Sequence, residues 1–140
     1  LTSKLFFFFR DKRGLCYGIN SGFKPLQAAG PFFIVLQTRR DQAANALSLS
    51  QQTLKNFLAK GPTSQELQGA KQALIGSFPS SIASNEGILA ATEKIGFYQL
   101  PLNYLDTYQQ KINSVNLEQI RHAFQRIKPE KMIVVMLGKQ

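Results

Sequence analysis

The chain has 140 residues, 44% of them apolar and 11 of them Phe, enough to bury a core but within the size of one domain. Seventeen Lys and Arg against eight Asp and Glu give a formal charge of +9. Outside "RDKR" at 10–13 and "RR" at 39–40 the cations are scattered singly, which argues against a dedicated nucleic-acid surface. No run approaches the roughly 18 to 20 apolar residues of a membrane span, so a soluble protein is expected. No charged leader precedes an apolar segment at the start. Leu1 stands where an initiator Met would, which predicts a processed or partial chain. A lone Cys16 excludes an internal disulfide.

In chain order, residues 1–12 ("LTSKLFFFFRDK") read as a helix end with Leu5, Phe8 and Phe9 inward, or as a buried strand. Basic residues before Gly14 favour the helix, because cations suit its C-terminus and Gly suits the left-handed cap. From Leu15 the period becomes two, with Leu15, Tyr17, Ile19, Ser21 and Phe23 on one face of a strand. "KPLQAAG" reads as a turn and "PFFIVLQT" at 31–38 as a second strand, making an antiparallel hairpin.

Residues 41–61 place Ala43, Ala46, Leu47, Leu54, Phe57 and Leu58 on one helical stripe that stops at Gly61-Pro62. Thr63 and Glu66 form a capping box opening a helix to about Ser77, which Pro79 is expected to break. Further helices are predicted over 85–99, over 103–114, and from the box-like pair Asn116 and Gln119 to a point before Pro129. The closing "KMIVVMLG" reads as a strand buried on both faces. No repeat or linker divides the chain, so a single α+β domain over 1–140 is expected, with helices packed on a mixed or antiparallel sheet.

Chemistry-bearing motifs are sparse. A catalytic zinc takes about three protein ligands, but this chain has one His and one Cys, far apart, and neither gives a metal site. His122 has no second His at helical spacing. No nucleophile elbow, P-loop or dinucleotide fingerprint occurs, and Cys16 lacks a His base, so no catalytic residue is assigned. Arg10 and Tyr17 remain. A guanidinium fork and a rigid phenol could together hold carbonyl or carboxylate oxygens of a peptide, although a surface Arg and a core Tyr would look the same.

The segment "LTSKLFFFFRDKRGLCYGINSGF" resembles part of the M16 (insulinase/pitrilysin-like) zinc peptidases, where a helix ends in Arg and Tyr follows seven residues later. The likeness continues through "GPFFIVLQTRRDQAANAL", "TSQELQGAKQALIGSFPSSIASN", "IGFYQLPLNYLDTYQQKINSVNLEQIRHAF" and "PEKMIVVMLG". Single blocks are weak; their shared order is specific. The resemblance implies an α+β half-molecule facing a second half that bears an inverted zinc motif, H-x-x-E-H. That motif does not occur here, so the zinc is expected in the partner half, on the same chain or a separate subunit. Arg10 and Tyr17 then become substrate-binding residues aimed at a peptide whose scissile carbonyl the partner's zinc polarises.

The same resemblance implies a domain incomplete at its N-terminus, inactive alone. "GFYQLPLNYLDTY" is more similar to bacterial members than to mitochondrial processing subunits, which implies a periplasmic or envelope setting. Two alternatives stay open. One is a scaffold subunit of the same fold, and the other is a basic nucleic-acid binder with aromatics exposed beside Lys and Arg.

Overall fold

The computed structural model describes Leu5, Phe9 and residues 15–138. Two strands, β1 (Gly18–Phe23) and β2 (Phe32–Gln37), are followed by five helices. These are α1 (Ala43–Lys60), α2 (Ser64–Ser81), α3 (Asn85–Phe97), α4 (Tyr104–Ser114) and α5 (Leu117–Phe124). Short 3-10 turns occupy Arg40–Gln42 and Pro129–Lys131. The α+β class holds, and the hairpin followed by five helices agrees with the periodicity.

The chain divides into two compact units, one of Leu1–Gly61 with Arg121–Gln140 and one of Pro62–Ile120. In the first, β1 and β2 pair antiparallel with Ile19 opposite Leu36 and Ser21 opposite Ile34. This register puts Ile19, Ile34 and Leu36 against one cluster with Leu5, Phe9, Cys16 and Ala46. Leu5 and Phe9 are helical and fully buried, one turn apart, as the helical reading of that segment requires; Phe8, Arg10 and Gly14 lie outside the described residues.

A second cluster joins hairpin to helices through aromatic edges, with Phe124 meeting Phe23 at 5.7 Å, Phe32 at 6.4 Å and Phe57 at 4.9 Å. Along α1 the buried residues are Ala46, Ser50, Thr53, Leu54 and Phe57. Ser50 escapes a hydrophobicity pattern because its hydroxyl donates to the Ala46 carbonyl at 2.7 Å, which removes the cost of burying it. Gly61 ends the helix at φ +69°, and a Cβ there would meet the Arg121 side chain at 2.9 Å. The glycine is thus favoured by its backbone angle, and any Cβ would also displace the flexible Arg121 side chain.

The second unit is helical, and none of its side chains is fully buried. Phe78 of α2 stacks on Tyr108 of α4 at 4.3 Å, and Lys71 of α2 donates to the Asn113 carbonyl near the end of α4 at 2.7 Å. Lys94 and Lys111 lie over the Tyr104 ring at 5.4 and 5.7 Å.

Two expectations need correction. Pro79 does not stop α2, which runs on to Ser81 with the proline inside its last turn. So close to the end it removes one N–H from a ladder that is finishing anyway, and its own carbonyl still accepts from Ile82. The C-terminal run is not a strand buried on both faces. Residues 132–137 have no strand partner among the described residues, and Ile133 and Leu137 are 90% and 95% exposed. Apolar composition marks a segment able to be buried in a sheet, but burial itself depends on a neighbour, and the sheet of the described residues is β1 and β2 alone.

Candidate functional site at the Tyr17 end of the hairpin

The segment leading into β1 is fixed by backbone bonds at each step. Leu15 donates to the Phe9 carbonyl at 2.8 Å, and its own carbonyl accepts from the Thr38 hydroxyl. Tyr17 donates from its backbone N–H to the Gln37 carbonyl at 2.8 Å. Cys16 is buried in the core beneath. Tyr17 itself stands in a bend just before the strand, with 73% of its surface exposed.

Strict alternation put Tyr17 on the same face as Ile19, which is 7% exposed. The bend breaks that phase, because period two holds only within the pleat, and the pleat begins at Gly18. The core-tyrosine alternative is therefore removed. A large aromatic carrying a hydroxyl is presented to solvent from an anchored backbone, which suits a contact residue. Arg10 lies outside the described residues, so its distance to Tyr17 is not part of this geometry.

Two further cations belong to this end of the hairpin. Arg39 and Arg40 follow Gln37, the backbone partner of Tyr17, by two and three residues, and both are exposed. Arg39 pairs with Asp41 at 3.3 Å with both side chains 63% exposed, whereas Arg40 forms no ion pair among the described residues. The "RR" dipeptide was visible in the sequence. Its nearness to Tyr17 depends on the hairpin register, which no local pattern gives.

The side chains of the described residues do not make a metal site. Among the described residues no three His, Cys, Asp or Glu come together. His122 is exposed on α5, and Cys16 belongs to the apolar core. In the helical unit a depression of about 470 Å³ is lined by Ser64, Lys71, Asn116 and Glu118 among others. Asn116 there is engaged in a reciprocal cap with Gln119, at 2.9 Å in each direction, and Lys71 in its bond to Asn113. Among the described residues no helix is long and apolar enough to cross a membrane.

Comparison with known proteins places this architecture. The profile of the family described as Peptidase M16 inactive domain matches residues 1–74. A solved M16 inactive domain from Pseudomonas fluorescens superposes with a TM-score of 0.81 and 41% identity, over 91% of this chain and 31% of that one. A protease structure from Helicobacter pylori shares the fold at a TM-score of 0.69 and 18% identity, covering 87% of this chain and 29% of its own.

Two curated proteins are also similar. One is the "Non-peptidase homolog YmxG" of Helicobacter pylori, 31% identical over 79% of this chain. The other is the "Uncharacterized zinc protease YmxG" of Bacillus subtilis, 25% identical over 99% of it. The chain spans 26% and 34% of their lengths. An inactive domain is consistent with a chain that holds no zinc of its own. The resemblance read from the sequence blocks and the match to the family profile agree, and the chain belongs to the peptidase M16 inactive domain family.

Proposed function

We propose that this chain is the zinc-free, substrate-binding half of an M16-type metallopeptidase, which pairs with a zinc-bearing half and contacts peptide through Arg10 and Tyr17. The observation that carries the reading is the exposure of Tyr17 on a backbone tied to Gln37 and seated over the buried Cys16 and Ile19. A donor held on a rigid frame loses little freedom when it meets its acceptor, which is what makes positioning effective.

The Tyr17 hydroxyl would donate to a peptide carbonyl oxygen. The Arg10 guanidinium would donate to a neighbouring carbonyl or carboxylate. The role is to hold and orient an extended peptide. Bond cleavage would belong to groups of the zinc-bearing half, a reading supported by the lack of a zinc donor set among the described residues.

The test uses the full-length parent together with its zinc-bearing half. Tyr17→Phe should lower kcat/KM about two- to tenfold through loss of one neutral hydrogen bond, and Arg10→Ala more, through loss of a charged donor. Zinc content and assembly should stay as in wild type. Unchanged turnover in both variants would return the two residues to a structural role.

A second reading is favoured by one specific finding, that the 31%-identical Helicobacter relative is described as a non-peptidase homolog. In that reading the domain is a scaffold or assembly element of the same fold. It predicts normal assembly but no peptide cleavage by the wild-type full-length pair.

A further inference from the structure

Charge is segregated between the two units. The unit containing the hairpin carries fourteen of the seventeen Lys and Arg and three of the eight Asp and Glu, while the helical unit carries three and five. The excess of the whole chain therefore resides entirely in the unit that presents Tyr17. Within that unit, Arg39–Asp41 is the ion pair formed among the described residues, so most of its cations are not neutralised internally.

At the Tyr17 end this excess becomes local. The backbone bond from Tyr17 to Gln37 fixes the start of the 39–40 pair, since three residues of chain reach at most about 11 Å. Thr38 adds a second tie by donating to the Leu15 carbonyl. The following 3-10 turn, Arg40–Gln42, leads directly into α1, so Arg40 projects from a backbone anchored on both sides. Arg39 already has Asp41, and Arg40 has no acidic partner among the described residues.

We propose that this end of the hairpin selects peptides bearing carboxylate side chains, with Arg40 as the specificity-determining contact and Arg39 a weaker second one. The inference rests on the peptide-contact reading of Tyr17 and adds the substrate class. A guanidinium suits this task because its planar fork pairs with both oxygens of a carboxylate. The surrounding cations would speed the encounter, an effect that salt screens within about a Debye length.

The test is binding by the full-length protein of two labelled extended peptides, identical except that one has Glu where the other has Gln. Wild type should bind the Glu peptide about two- to fivefold tighter at low salt. That ratio should fall towards one in Arg40→Gln and in about 0.5 M NaCl. Lys55→Gln serves as a control, on the exposed side of α1 and roughly 18 Å along the helix from its start, and should keep the wild-type ratio.

Equal affinity of the two peptides for wild type would overturn the proposal. So would a Lys55→Gln variant that lowers the ratio as much as Arg40→Gln, which would mean diffuse charge without a local contact. Tighter, Arg40-dependent binding of a single-stranded oligonucleotide would also overturn it, in favour of nucleic acid. Tyr17→Phe separates the two readings, since it should weaken both peptides alike and leave their ratio intact. If it changes neither affinity while the Arg40 effect persists, the Tyr17 contact fails alone. No binding of either peptide would overturn both.

Discussion

Tyr17 and Gln99 each depart from what the local pattern suggests. For Tyr17 the departure is exposure: the alternation Leu15, Tyr17, Ile19 was legible, but the bend that ends it is set by the bonds of Leu15 and Tyr17 to Phe9 and Gln37. Contacts between residues distant in sequence leave no trace in a period. Gln99 has φ 51°, left-handed without being glycine. It closes α3 in a Schellman arrangement, with Leu100 donating to the Ile95 carbonyl at 2.9 Å and Gln99 to the Gly96 carbonyl at 3.2 Å. A Cβ in this region is strained by about 1 kcal/mol or more, part of which glycine's greater unfolded-state entropy would offset. Gln99→Gly should therefore stabilise the helical unit by about 0.5–1 kcal/mol, seen as a higher urea midpoint at unchanged slope. A lower midpoint would mean that the Gln99 side chain contributes more than its backbone costs.

At the scale of elements, helix starts were legible because capping is local chemistry. Thr63 and Glu66 exchange both bonds of the predicted box, at 2.7 and 3.2 Å, and Asn116 and Gln119 do the same ahead of α5. Thr63→Ala should cost about 1 kcal/mol, measurable by denaturant unfolding of the full-length protein. The start of α3 adds a pH dependence. Its first-turn Glu86 has a carboxyl held below its ordinary value of 4.5 by a backbone N–H and then by the Ser84 side chain, against a smaller desolvation effect. Because the folded value is depressed, the stabilisation is present above the unfolded value and is lost as pH falls through the folded one. Amide protection of residues 85–88 should weaken as pH drops below 4.5, and Glu86→Gln should remove that dependence. Helix ends and the C-terminal run were less legible, since Pro79 fits inside a finishing turn and residues 132–137 needed a strand partner to become a strand.

For the molecule as a whole, the α+β class and the family were readable because the order of several blocks carries more information than any one of them. The division of charge between the two units was not readable, since it requires knowing which segments fold together; the 121–140 segment joins 1–61 across the whole of 62–120. The unit that carries the excess is the one in which Tyr17 bonds to Gln37, two and three residues before Arg39 and Arg40. Whether this end holds peptide for a zinc-bearing half is decided by a peptide-cleavage assay of the full-length protein with that half, comparing wild type with the Arg10→Ala, Tyr17→Phe double variant. Turnover should fall at least about tenfold with zinc content and assembly unchanged; equal activity of the two proteins would mean that Arg10 and Tyr17 do not hold peptide.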